Sequence, residues 1–462
     1  MIKVVSVEKY ENRIVGYVCT DGVRVVRLKK DQLIKFIDNN KVCNASKYEY
    51  NGRVVIRVRG AEKNNLGRSN SIANLNNLVN RLKTLQDSRL DVIRLSEGTD
   101  CYIIHLEDNR HILYIPGNVN RISNEIKQPL SKLSGDVVIY NVGKIKNLNK
   151  IFGSFRSSVK LDLKNFDIGR MTDASKMFMN YRPVELDINS LDTHNITDMS
   201  AMFSNCRLSE LDLSNIDTGN VTNMRGMFCE SHILESLDVS MLDVSNVNNM
   251  ESMFSGLVSH RLKIGALNTV NVKDMSKMFC NCTVEEIDIS QLQTGSVTNM
   301  HKMFCECNVK RIKFGNINTS KVIRMDSMFY GCNTNSIDLS HINTNSVVDM
   351  SRMFWKCRTK KLDISTLDTS NVKNMRWMFN WYKADKLILD NFDTNNVQSM
   401  EGMFYGAKLN TLDISNFRIG DETNLDYIFG DCEICDVYLP KSEKSRDRLL
   451  KHMHDGLIGI IH

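Results

Sequence analysis

Hydrophobic residues recur along most of the chain in a unit of 25 residues. Apolar residues at positions 1 and 3 of the unit flank a residue that is usually Asp, which is the alternation of a strand with one buried face. Met at positions 14 and 17, Phe at 18 and often Cys at 21 follow at offsets of 3, 4 and 7. Those offsets share one side of a helix, so each unit predicts one strand and one short helix.

The repeat extends through residues 136–440. Its units begin at Leu161, Leu186, Leu211, Leu237, Leu262, Ile287, Ile312, Ile337, Leu362, Leu387 and Leu412. A weaker unit begins at Val137, a last strand begins at Val437, and one step, after Leu211, is 26 residues long. One unit cannot bury its apolar side alone, so the pattern predicts a stack of coils around a continuous core.

The Met and Phe columns belong to that core rather than to a cofactor or partner site. Twelve of the 18 Phe residues occupy position 18, and 19 of the 24 Met residues occupy positions 14 and 17. Position 13 is mostly Asn or Asp, which favours a helix start because these side chains accept hydrogen bonds from free backbone N–H groups. Positions 15, 16, 19 and 20 vary, and we expect them on the outer face.

The consensus LDxSxxDTxNVxNMxxMFxxC resembles the BspA-like leucine-rich repeats of bacterial surface proteins and mycoplasma lipoproteins. The resemblance implies a right-handed leucine-rich solenoid, often used in adhesion or protein binding, and no shared catalytic residues. We therefore expect a repeat solenoid: a right-handed, leucine-rich-repeat-like α/β solenoid of about twelve coils with parallel strands, plus a small N-terminal α+β domain.

The ends of the chain follow other patterns. Residues 1–60 predict a small basic α+β domain, with strands at 2–8, 12–18, 23–28 and 53–58 and a helix at 31–38. Residues 61–135 predict a linker, a helix at 73–86 and a hairpin of 101–106 with 111–116, which together cap the first coil. Residues 441–462 predict a closing cap, with a helix from Ser442 to about His454 and a strand at 457–461.

Charge and cysteine content bear on location. The net charge of +6 is uneven: residues 1–135 hold 23 Lys/Arg and 14 Asp/Glu, a balance of +9, and the remainder is −3. We expect no export signal at the start of the chain, because no apolar segment follows its first charges. No apolar run is long enough to span a membrane, and 13 cysteines cannot all pair internally. We expect free thiols and a cytoplasmic protein; the alternative is the cell surface.

Aromatic residues form the leading candidate for a binding site. Tyr330, Trp355 and Tyr405 occupy position 19, Trp377 position 16 and Trp381 position 20, all on the expected outer face. Exposed aromatic clusters are typical of binding hot spots. A rim of Arg352, Lys356 and Arg376 would surround these rings. The alternative is that the rings pack on each other or on a flanking loop.

Two further patterns suggest metal chemistry only weakly. Three pairs of cysteines are close enough in sequence to contribute thiolates to a zinc site: Cys280/Cys282, Cys305/Cys307 and Cys432/Cys435. In the first two pairs, however, position 21 faces the core and position 19 faces outward, so we expect no zinc. Asp recurs at position 2, as Asp162, Asp187, Asp212, Asp238, Asp288, Asp338, Asp363 and Asp413. We expect these carboxylates to accept backbone hydrogen bonds or face solvent; the alternatives are calcium or a basic partner.

Arg53, Arg57 and Arg59 alternate along one predicted strand face of the basic N-terminal domain. Such a face can contact phosphates, although a solvated face is the simpler interpretation.

Motifs of catalysis are missing from the sequence: there is no phosphate loop, no HExxH, no GxSxG and no kinase signature. We therefore expect no cofactor, no catalytic site and no bound metal. The sequence favours a non-enzymatic scaffold that presents its solenoid to a protein partner of unknown identity, in an unknown oligomeric state. The alternatives are a surface adhesin exported without a recognisable signal and a nucleic-acid-associated protein acting through its basic N-terminus.

Overall fold

The structure is a computed structural model. It describes residues 3–10, 13–20, 25–28, 45–50, 53–58, 62–63, 91–96, 99–106, 109–116, 130, 132–142, 152–155, 159–183, 185–453 and 460–461, and up to residue 100 it describes the backbone only. The predicted helices at 31–38 and 73–86 lie outside these residues. Within them, no helix has the length and apolar character needed to cross a membrane.

The N-terminal strands match all four of the predicted segments and add others. The strands are β1 Lys3–Tyr10, β2 Arg13–Thr20, β3 Val25–Leu28, β4 Ala45–Tyr50, β5 Arg53–Val58, β6 Glu62–Lys63 and β7 Asp91–Ser96. They form a sheet in the order β3-β2-β1-β6 and a separate β4-β5 hairpin. Strand β4 was not predicted, because its sequence ASKYEY has too few apolar residues to indicate a strand.

The hairpin expected near residue 105 is present and joins the solenoid. Strand β8 (Thr99–His105) pairs antiparallel with β9 (Arg110–Pro116), and β9 pairs in parallel with β10 (Gly135–Val142). Strand β10 pairs in turn with β11 (Val159–Asn165), the strand of the first strong unit. The hairpin therefore extends the sheet at the start of the coil stack.

Parallel strands then recur along the stack, which confirms a repeat solenoid of about twelve coils of about 25 residues. The strands are β12 Arg207–Leu208, β13 His232–Ile233, β14 Ser236–Asp238, β15 Arg261–Lys263, β16 Thr283–Asp288, β17 Asn308–Lys313, β18 Asn333–Asp338, β19 Arg358–Asp363, β20 Lys383–Ile388, β21 Lys408–Asp413 and β22 Glu433–Tyr438. Matching unit positions pair, as Ile287 does with Ile312.

The short helix predicted for each unit is wrong. Between residues 159 and 441, the described chain contains tight turns where helices were expected. Positions 16 and 20 have positive φ in every well-matched coil, for example Ala201 at 52° and Asn205 at 54°. A right-handed helix has no such residues. The expected α/β coil is therefore a β coil with a turn segment.

Backbone hydrogen bonds explain the turn segment. Ala201, Phe203 and Asn205 donate to the carbonyls of the next coil at 2.8, 2.9 and 2.7 Å. A helix would satisfy these groups within one coil, whereas here they extend the parallel ladder along the stack. Position 13 still caps the segment: the N–H of Ser200 donates to Asp198 Oδ1 at 2.7 Å, which opens a turn rather than a helix.

The core is a set of ladders running along the solenoid. The twelve Phe rings at position 18 stack from Phe152 to Phe429, with neighbouring centroids 4.9–6.1 Å apart. Thr at position 8 is buried and donates to a carbonyl of the next coil, as Thr294 does to Asn318 at 2.8 Å. Apolar stacking and polar ladders thus impose the same register on successive coils.

The C-terminal end is covered by a helix and a strand. Helix α1 (Glu443–Leu450) follows Ser442 and buries Leu449, while Ser445 Oγ accepts a hydrogen bond from the Ile419 N–H at 3.0 Å. Strand β23 (Ile460–Ile461) pairs in parallel with β22. Residues 457–459 of the predicted closing strand lie outside the described residues.

Candidate functional site

The five candidate aromatic residues form one continuous ladder on the turn side of the solenoid. Ring centroids lie 5.4 Å apart for Tyr330 and Trp355, 6.0 Å for Trp355 and Trp377, 5.7 Å for Trp377 and Tyr405, and 6.3 Å for Trp381 and Tyr405. We call these five residues the aromatic ladder. Four are half-buried and Trp381 is 41% exposed, so the rings pack on each other as the alternative interpretation expected, and one remains open.

Glycines in the following coil make room for three of these rings. A Cβ added to Gly402 would lie 2.1 Å from the Trp377 ring, one on Gly406 2.6 Å from the Trp381 ring, and one on Gly430 2.7 Å from the Tyr405 ring. Gly402 and Gly406 also occupy the positive-φ positions 16 and 20. The large ring in one coil and the glycine in the next therefore act as a pair.

Charged and polar groups surround the ladder. The Arg352 guanidinium lies 5.6 Å from the centroid of the Trp355 ring, a distance that allows a cation–π contact. Arg376 pairs with Glu401 at 2.9 Å, so its charge is partly compensated. Three buried polar atoms lack a hydrogen-bond partner in the described structure: Trp355 Nε1, Arg376 Nε and Asn380 Oδ1. Such atoms are uncommon in native interiors, and here all three belong to the ladder and its surroundings.

A groove of about 840 Å³ runs across strands β16 to β20 and reaches the ladder at Trp381. We call it the strand groove. Its floor consists of positions 22 to 24 of successive coils and includes Asn308, Asn333 and Thr334. Lys356, which was predicted at the rim of the aromatic cluster, lines this groove together with Trp381. The groove itself was not predicted, because it depends on which positions of neighbouring coils converge.

The cysteines at position 21 are buried as the unit positions indicated, but Cys305 at position 19 is not where it was expected. Cys282 and Cys307, at position 21, are fully buried, while Cys280 is half-buried. Cys305 was expected to face outward but is only 4% exposed. Its thiol contacts Cys280 in the preceding coil, and the hydrogen bond between them lowers the pKa of Cys280 and raises that of Cys305. No group of three or more His, Cys, Asp or Glu residues suited to a metal occurs in the described chain.

The Asp column at position 2 forms local turns. All eight carboxylates accept a hydrogen bond from the backbone N–H two residues later, at 2.9–3.2 Å. At Asp338 the hydrogen bonds from Ser340 lower the pKa of the carboxyl group. The column is thus explained by turn formation, the first of the interpretations offered from the sequence.

The basic N-terminal candidates are only partly described. Arg53 and Arg57 lie on β5, which places them at alternate positions along one strand, and their side chains lie outside the described structure. Arg59 lies outside the described residues altogether. The phosphate-contact hypothesis for this strand stays a prediction.

The ladders, the parallel register and the 25-residue period define a β-solenoid repeat protein. The chain belongs to the family described as "Mycoplasma protein of unknown function, DUF285". That family matches residues 118–216, 172–284, 199–312, 231–341, 273–387 and 333–441. No curated protein and no solved structure shows significant similarity to the chain.

Proposed function

We propose that this chain is a non-enzymatic binding protein whose solenoid presents one rigid surface to a protein partner. The observation that carries the proposal is the position of Trp381. Its ring is 41% exposed, it contacts Tyr405 of the aromatic ladder, and it lines the strand groove. A partly exposed Trp surrounded by packed rings and cations is the usual composition of an interface hot spot.

The solenoid backbone supports the same proposal. Each coil is fixed to its neighbours by main-chain ladders, so a partner meets a preorganised surface and little conformational entropy is lost on binding. The resemblance to BspA-like leucine-rich repeats, whose members often serve in adhesion or protein binding, agrees with this role. The proposal places the protein in the cytoplasm, consistent with the absence of disulfides among the cysteines of the described chain.

The test compares two exposed aromatic residues of equal accessibility. Trp381 and Tyr438 are both 41% exposed, but only Trp381 belongs to the ladder. Partners are captured with tagged full-length protein, identified by mass spectrometry and confirmed with purified components. We expect Trp381→Ala to weaken the interaction about tenfold or more, and Tyr438→Ala to leave it unchanged, with equal melting temperatures.

A partner that binds both variants equally contradicts the proposal. If that partner is lost from Arg53→Glu/Arg57→Glu, the binding site lies on the N-terminal strand instead.

A further inference from the structure

The strand groove carries positive charge that no ion pair among the described residues neutralises. Lys356, Arg358, Lys360 and Lys383 line it at the end next to Trp381. None of the four forms an ion pair within the described residues. Four uncompensated cations in one concavity create a positive potential that attracts an anionic ligand.

The opposite end of the groove is electrically different. There Glu285 pairs with Lys310 at 3.1 Å, and the intervening floor carries the uncharged groups of Asn308, Asn333 and Thr334. The cations are therefore concentrated over β19 and β20, and the remainder of the groove offers amide and hydroxyl groups. A matching ligand has its negative charge at one end only.

We propose that the strand groove binds an acidic, extended segment of a protein partner, with its carboxylates over Arg358, Lys360 and Lys383. This proposal rests on the proposed function and specifies the chemistry of the partner. The floor groups supply donors and acceptors for a peptide backbone, and the Trp381 ring supplies an apolar contact beside the charged end.

A peptide fits these features better than a nucleic acid. Single-stranded nucleic acids bind where successive aromatic faces are free to stack on bases. Here one ring, Trp381, lines the groove, and the other four rings of the ladder pack against each other. The carboxylates of a peptide need only cations and hydrogen-bond donors, which the groove supplies.

The groove also sets the length of the ligand. It crosses the paired strands β16 to β19, which are about 4.8 Å apart, and reaches β20, which among the described strands pairs with β21 and not with β19, so it is at least about 19 Å long. An extended peptide advances about 3.3 Å per residue, so about six residues fill the groove. Two or three carboxylates at one end of such a segment would meet the cations.

The experiment uses full-length protein and a fluorescein-labelled octapeptide with four Glu residues followed by four Ser residues. Anisotropy at low ionic strength measures binding, and tryptophan fluorescence reports on Trp381, with Trp381→Phe to assign the signal. We expect saturable binding that weakens as salt rises, because the contacts are solvent-exposed charge pairs. An octapeptide with Lys in place of Glu, and one of Ser alone, should bind at least about tenfold more weakly.

The decisive variant is Arg358→Glu/Lys360→Glu, and its control is Lys160→Glu/Arg207→Glu. Both pairs replace two exposed strand cations and change the net charge equally, but only the first lies in the groove. We expect the groove variant to lose affinity by about tenfold or more and the control to keep it. Equal loss in both variants would mean that net charge alone attracts the peptide, and would overturn the proposal.

Two other results would also overturn it. An eight-nucleotide oligothymidine that binds at the groove as tightly as the acidic octapeptide would assign the site to nucleic acid. If the acidic octapeptide did not bind the wild-type protein, acidic peptides would be excluded as ligands of the strand groove. If a captured partner still required Trp381 for binding, the proposed function would remain supported in that case. Failure of this inference is therefore distinguishable from failure of the proposed function.

Discussion

Two stretches of the solenoid share one core and differ on one surface column. In the earlier coils, position 19 carries Ser204, Cys229, Ser255, Cys280 and Cys305; in the later coils it carries Tyr330, Trp355, Asn380 and Tyr405. The spacing of the Phe ladder beneath this column stays the same: the ring centroids are 5.6 Å apart at Phe203–Phe228 and again at Phe329–Phe354. Core and outer columns are thus independent, which lets one architecture carry different surfaces.

The sheet face shows the same division in its charges. At position 24, Lys310 pairs with Glu285 of the preceding coil, whereas Lys360 meets Asn335 there and has no ion pair in the described chain. At this position the earlier lysine is neutralised by its neighbour, and the later lysine is left available. The aromatic ladder and the unpaired cations occupy the same coils, and this coincidence locates the proposed site.

The largest effect is expected where the core is altered. Phe304 is fully buried and stacks on Phe279 and Phe329 at 5.5 and 5.6 Å. Phe304→Ala should lower the free energy of unfolding by about 3–5 kcal/mol. Tyr330→Ala, which removes a half-buried ring from the ladder, should cost less, about 1–2 kcal/mol. Urea unfolding followed by circular dichroism measures both, and equal losses would contradict the independence of core and surface.

A pair of glycines separates ring packing from backbone strain. Gly402 and Gly226 share position 16 and φ near 60°, so Ala meets the same backbone penalty at both. Only at Gly402 does the added Cβ collide with an indole, at 2.1 Å from Trp377, while at Gly226 the nearest atom is at 3.5 Å. Gly402→Ala should be the more destabilising by about 1–3 kcal/mol in thermal unfolding. Equal penalties would mean that the indole moves aside freely.

Alkaline pH should test the thiols buried at position 21. Burial raises the pKa of Cys282 from 9.0 to about 12, and those of Cys206 and Cys332 likewise. Above pH 9 the unfolded chain loses these protons, whereas the folded chain keeps them up to about pH 12. The free energy of unfolding should therefore decrease over this range, by about 1.4 kcal/mol per pH unit for each thiol.

The destabilisation caused by Cys282→Ala should therefore shrink between pH 7.5 and pH 10.5, as measured by urea unfolding at each pH. A penalty that does not change with pH would contradict burial of this thiol.

The smallest change to the folded structure is expected from oxidation of Cys280 and Cys305. They occupy the same position in adjacent parallel coils, about 4.8 Å apart, which lies within the Cα separation of a disulfide. Hydrogen peroxide should convert the Cys280 thiol to a sulfenic acid and water, and Cys305 should then displace a second water to form the disulfide.

Mass spectrometry of a non-reduced digest should show the crosslink between Cys280 and Cys305. It should show none between Cys229 and Cys280, which are separated by the coil carrying Ser255. The reverse pattern would contradict the coil register.

The period, the strand positions and the apolar columns could be predicted from the sequence because each depends on residues within one coil. The turn segment could not. Offsets of 3, 4 and 7 arise in a helix, and they arise equally when tight turns reverse the backbone every four residues. Lys302 and Arg352 have positive φ, although residues of these types seldom adopt it. Their identity therefore gives no indication of this backbone conformation.

The aromatic cluster could be predicted, and the strand groove could not. Trp355 and Trp377 are close because their positions in the unit are close. The groove joins position 20 of two coils to positions 22 to 24 of these and other coils, so it appears only once the coils are stacked. Likewise, the sequence placed Cys305 outward, and stacking on Cys280 buries it.

The single 26-residue step shows where this architecture tolerates an inserted residue. Three residues, 234–236, separate Ile233 from Leu237 where other coils have two, and Leu234 is 63% exposed at that point. The Phe ladder passes from Phe228 to Phe254 at 5.8 Å with its planes 3° apart, as if no residue had been added. Such a solenoid can absorb a single insertion between two short strands, here β13 and β14, whereas gain or loss of a whole coil would shift every later surface residue by one ladder spacing. Evolution can therefore lengthen the molecule in whole coils without redesigning its core.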